Sequence, residues 1–168
     1  MGYEFVPQFS RMLNNLSRIL DKAQAHADQK KFEMSFLLHD RLYPDQFDFT
    51  RQVQIACDTA KFYAARLTGK EAPKNEDKET TVAELQDRIR KTITYLETIK
   101  PADFQGWESR KTLNPRREGK YLPGSEYAMH QAIPNFYFHV TTAYAILRHR
   151  GVEVGKMDYL GELNYRNL

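Results

Sequence analysis

At 168 residues, with 41% hydrophobic and 28% charged side chains, the chain is sized for one domain, spanning 1–168, with a core of its own. A formal charge of +3, evenly mixed with acids, argues against a nucleic-acid binder, whose basic residues would gather on one face. No apolar run approaches the roughly 18 residues a membrane span needs, and MGYEFVPQF lacks the basic-then-apolar order of a signal peptide.

Apolar residues at Phe9, Met12, Leu13, Leu16, Ile19, Leu20, Ala23 and Ala27 recur at spacings of three and four and predict a helix from Pro7 to about Ala27. Pro7 suits its first turn, where the missing N–H costs nothing. Residues 28–48 sustain no period. A short helical turn near 32–38 and a loop at Tyr43-Pro44-Asp45 are expected, because the residue before proline is driven out of the helical region. A second helix runs from about Asp48 to Leu67 and stops at Gly69. Its inner stripe (Phe49, Val53, Ala56, Cys57, Ala60, Ala64, Leu67) is mostly small, which either admits a close neighbour or leaves room for a ligand. The charged stretch KEAPKNEDKETT reads as a solvated loop. Thr81-Val82-Ala83-Glu84 is a capping box that opens a third helix through Leu85, Ile89, Ile93 and Leu96, ended by Pro101.

Residues 102–124 break the helical rhythm. Rough alternation in GWESRKTL and a turn at Arg116-Arg117-Glu118-Gly119 predict a small β-hairpin or an irregular excursion. Ser125 opens a helical segment to Ala132, a kink or short break is expected at Pro134, and a fourth long helix continues to Gly151. The tail keeps Val152, Val154, Met157, Tyr159 and Leu160 close together, which predicts packing on the bundle or on a second subunit. Four long amphipathic helices without convincing central strands make the fold class all-α, a four-helix bundle.

His139 lies on the inner stripe of the fourth helix with Asn135, Thr142, Ala143 and Ile146. Its readings are a metal ligand, a proton carrier or a neutral histidine hydrogen-bonded inside the bundle. The position four residues before it is Asn135 and four after is Ala143, so no pair of histidines marks a metal site. Cys57, on the small-residue face of the second helix, is a candidate to approach His139, with plain packing the simpler alternative. His39, beside Asp40, and His130, before Pro134, complete a site only if their segments fold back. His26 and His149 read as partners of helix C-termini. As the lone cysteine, Cys57 permits no internal disulfide, which agrees with a cytoplasmic location. Glycine-rich phosphate loops, His-Glu-x-x-His and Gly-x-Ser-x-Gly are absent. The basic set Arg110, Lys111, Arg116, Arg117 and Lys120 is interrupted by Glu118 and reads as a solvated hairpin.

The segments RLYPDQFDFTRQVQIACDTAKFYAARLTG and LPGSEYAMHQAIPNFYFHVTTAYAILRHRGVEVGKMDYLG resemble an uncharacterised bacterial family similar in fold to the DinB/YfiT-like four-helix bundles. That resemblance implies an up-down-down-up bundle and a homodimer. It also implies relatives that are metalloenzymes, including thiol-dependent transferases, with zinc or nickel held by three histidines. One comes from the second helix and two, four apart, from the fourth. Carried over, His139 takes the later fourth-helix place, Asn135 stands at the earlier one, and the second-helix place falls at Ala56-Cys57. Two of three ligands are therefore missing. The reading is a bundle without an intact triad that binds a small ligand, with His139, Asn135 and Cys57 as pocket candidates, or serves a structural role. The alternatives are a metal-assisted transferase or hydrolase centred on His139 and a partner-binding dimer.

Overall fold

A computed structural model describes residues 2–113 and 117–167. It builds α1 (Phe5–Lys30), the one-turn α2 (Ser35–Leu38), α3 (Phe49–Thr68), α4 (Val82–Glu97), β1 (Lys111–Leu113), β2 (Tyr121–Pro123), α5 (Gly124–Glu126), α6 (Ile133–His149) and α7 (Lys156–Leu160). The helix boundaries follow from local chemistry. Asp48 caps α3 by accepting from the Arg51 N–H at 2.9 Å, and Gly69 ends it in the left-handed region at φ 79°. Both halves of the Thr81–Glu84 capping box form at the start of α4.

Side-chain pairings give the wiring. Phe9 meets Tyr63 with ring centroids 5.1 Å apart, so the start of α1 lies against the end of α3 and the two are antiparallel. Gln54 near the start of α3 donates to Glu79 just before α4, and Lys70 just past the end of α3 donates to the Thr98 carbonyl at the end of α4, so α4 runs parallel to α3. Asn135 bonds Thr59 while His139 bonds Gln52, so α6 runs antiparallel to α3. The order is up-down-down-up.

A parallel α3–α4 step needs a connection that travels back along a 20-residue helix, about 30 Å at 1.5 Å per residue. Residues 69–81 supply about 13 residues, enough to span roughly 43 Å when extended. This crossover is more than the solvated loop its composition suggests. Asp77 accepts from Arg51 at 2.6 Å and Glu79 from Gln54 at 2.9 Å, both on α3. The same two carboxylates hold Arg88 of α4 at 2.7 and 2.9 Å. Arg88 is only 2% exposed. Burial works against its charge, but Glu79, Asp58 and Asp77 outweigh it and raise its pKa. One buried guanidinium thus ties both central helices to the strap between them.

The core is rich in rings, with Phe9, Phe49, Tyr63 and Phe136 fully buried. Phe9 and Phe136 lie 4.3 Å apart between centroids, and the Tyr63 hydroxyl donates to the Gly2 carbonyl at 2.6 Å. The small face of α3 admits close neighbours: Ala56, Cys57, Ala60 and Ala64 are all completely buried. The tail folds back on its own bundle, where Arg11 donates to the Leu160 carbonyl at 2.8 Å and Asn15 to the Tyr159 carbonyl at 2.9 Å.

The excursion before the last helix is the expected hairpin, antiparallel with Thr112 opposite Leu122. Arg116 lies outside the described residues. A Cβ at Gly124 would sit 1.8 Å from the Trp107 carbonyl oxygen, so glycine alone lets the hairpin's exit dock there. At Pro134 the helix does not break. The six residues Tyr127–Ala132 form a π turn that leads directly into α6. Pro134 has no N–H to offer the carbonyl four residues earlier, and its ring crowds that carbonyl; the wider turn accommodates both.

Candidate functional site

His139 is 6% exposed and faces α3, where its Nδ1 lies 2.6 Å from Gln52 Oε1. Gln52 commits its amide Nε2 to the Phe47 carbonyl at 2.8 Å, which leaves only its oxygen for the ring. The proton must therefore sit on His139 Nδ1, and Nε2 keeps a lone pair. Burial, helped by the positive charge of Arg51, pushes the imidazole pKa down to about 4. The ring is neutral at pH 7 and its tautomer is fixed from behind.

In front of the ring lies a cleft of about 510 Å³ between α3 and the π turn with α6. Ile55, Thr59, Phe62 and Arg66 form its α3 wall, and Tyr127, Gln131, Asn135 and His139 its α6 wall. Asn135 donates through Nδ2 to Thr59 Oγ1 at 2.8 Å, and that hydroxyl donates to the Ile55 carbonyl at 2.7 Å. This chain of bonds orients Asn135 and leaves its Oδ1 without a protein donor among the described residues. His139 Nε2 and Asn135 Oδ1, one helical turn apart, are thus two acceptors open to the cleft.

The other predicted site residues lie elsewhere. Cys57 is completely buried toward α4 and does not line this cleft, so of its two readings the packing one holds and not the approach to His139; burial pushes its thiol up to about 12. His39 is exposed, with Nδ1 3.7 Å from Asp48, and His130 is exposed on the π turn. The structure brings together Asn135 and His139 and adds Gln52, Thr59, Phe62 and Arg66, which no motif in the sequence marks. A glutamine within the apolar stripe of α3 is the signal that could have marked a buried polar partner. The stripe Ile55, Thr59, Phe62 and Arg66, spaced by four, three and four, is the signal for the cleft wall.

Three histidines would be needed here for the metal centre that the sequence resemblance implies. Asn135 offers an amide already committed to Thr59, and Ala56 and Cys57 offer no ligand from α3 toward the cleft. Among the described residues no group of three or more His, Cys, Asp or Glu is placed to hold a metal ion. The donor set does not fit zinc or nickel. Among the same residues no helix is long and apolar enough to cross a membrane.

A comparison with curated proteins finds no match. The chain is similar to a DinB family member protein from Shewanella denitrificans, whose crystal structure superposes with a TM-score of 0.94 at 57% identity, covering 97% of this chain and 93% of that one. Residues 3–160 match the model of a domain of unknown function, DUF1993. With that match over nearly its whole length and the bundle it shares with the Shewanella protein, the chain belongs to the DUF1993 family and has a DinB-like fold.

Proposed function

We propose that this DinB-like bundle binds a small organic molecule in the His139 cleft, at the place where the sequence resemblance would put a metal. The observation that carries the reading is the Gln52–His139 bond. It fixes a neutral imidazole with its Nε2 lone pair toward the cleft, beside the equally open Asn135 oxygen. Both acceptors border the cleft and are not sealed in the core, so a ligand entering it can take over the hydrogen bonds that water makes to them. A cleft of this size, with aromatic walls and a few placed polar groups, is the usual form of a small-molecule site. A pKa near 4 makes His139 a poor general base at neutral pH, which favours binding over proton transfer. A lone buried thiol accords with a cytoplasmic protein.

The test is a fragment screen by ligand-observed NMR against the wild type, His139→Phe and Asn135→Leu. The proposal expects hits on the wild type that disappear in both variants while their amide spectra stay folded. Hits that persist in both, or none on the wild type, overturn it.

A further inference from the structure

A second hollow of about 440 Å³ adjoins the cleft and shares Arg66, Tyr127 and Gln131 with it. The β1–β2 hairpin forms the far wall of this outer half with Thr112, Leu122 and Tyr121. Among the described residues its charged lining is Arg66, Arg117 and Lys120, with no Asp or Glu.

Arg66 stands apart from the other cations of α3. Arg51 pairs with Asp77 at 2.6 Å and Lys61 with Asp58 at 2.9 Å. Among the described residues Arg66 has no carboxylate. It is half-buried, with its guanidinium carbon 5.2 Å from the Phe62 ring centroid and 5.3 Å from that of Tyr127. A cation held between two rings at the junction of two hollows has already lost most of its conformational freedom. Its planar fork suits a two-oxygen partner.

Resting on the ligand-binding reading above, we infer that the ligand is an organic oxyanion. Its carboxylate or phosphate sits at Arg66 with Arg117 and Lys120, and an O–H or N–H at its other end donates to His139 Nε2 and Asn135 Oδ1. Arg66 supplies the directional contact. The two hairpin cations lie on an exposed rim and add field and on-rate more than affinity.

The probes are phenyl phosphate and benzoate, with benzyl alcohol as the neutral counterpart, titrated against the protein labelled for amide and arginine Nε–H NMR. At least one anion is expected to saturate, moving Arg66, Tyr127 and Gln131 signals, with affinity at least tenfold above benzyl alcohol and falling with added salt. Phenyl phosphate binding well above benzoate assigns a phosphate, and the reverse a carboxylate; both support the inference. Arg66→Gln should weaken the anion at least tenfold. Because Arg66 also packs on two rings, Lys120→Gln on the exposed hairpin serves as a second variant and should weaken the anion by about twofold to fivefold without moving the melting temperature. Anions no tighter than benzyl alcohol, or binding indifferent to both variants, overturn the inference. If neutral fragments still bind in a His139-dependent way, the ligand reading survives that failure. If nothing binds either hollow, both fall.

Discussion

Lowering the pH tests the His139 environment most quantitatively. In the unfolded chain this imidazole takes up a proton at its ordinary value of 6.5, and in the fold only at about 4. Between those values the unfolded state binds more protons, so stability rises with pH. The contribution is complete above pH 6.5, is lost as pH falls toward 4, and declines no further below that. The loss between pH 7 and pH 4 amounts to roughly 3 kcal/mol. The assay is urea unfolding at intervals across that range for the wild type and for His139→Leu, which cannot titrate at this position. Carboxylates elsewhere titrate in both proteins and cancel in the difference. The variant loses the Gln52 bond, a cost independent of pH in this window. The wild type should therefore lose about 3 kcal/mol relative to the variant on acidification. Parallel stability curves would refute the reasoning, since they mean the ring is no harder to protonate in the fold than outside it.

Three further outcomes are expected. Arg88→Leu takes from Asp58, Asp77 and Glu79 the buried cation they share, leaving them Lys61, Arg51 and Gln54, and should cost about 3 kcal/mol by chemical denaturation. Cys57, buried and with its thiol pushed up to about 12, should resist alkylation by iodoacetamide in the native protein and react at once in denaturant. Protein purified without a metal-affinity tag should contain no stoichiometric zinc, nickel or iron by elemental analysis, and EDTA should leave its melting temperature unchanged; bound metal lost on His139→Ala would contradict the reading of the donor set.

The bundle was legible because its signals are local and periodic. The stripe of α1, the capping box of α4 and the stop at Gly69 lie within a few residues of what they determine. His139 and Asn135 were legible for the same reason, as neighbours on one helical stripe. Their partners were not, because Gln52 and Thr59 are 87 and 76 residues away in the chain, and no spacing rule pairs them. Cys57 shows the opposite failure: its stripe placed it correctly inside, but α4 rather than α6 covers that side. The crossover 69–81 looked solvated because its acids are numerous. Its role depends on Arg88, whose burial becomes visible only once the parallel α3–α4 packing is known.

The most direct measurement is the long-range proton–nitrogen NMR spectrum of His139 at pH 7, with and without the tightest fragment from the screen. A neutral ring protonated at Nδ1 is expected, whose unprotonated Nε2 resonance moves on binding as it accepts a hydrogen bond while Nδ1 stays protonated. A ring protonated at Nε2, or an Nε2 signal indifferent to every fragment that binds, would contradict it.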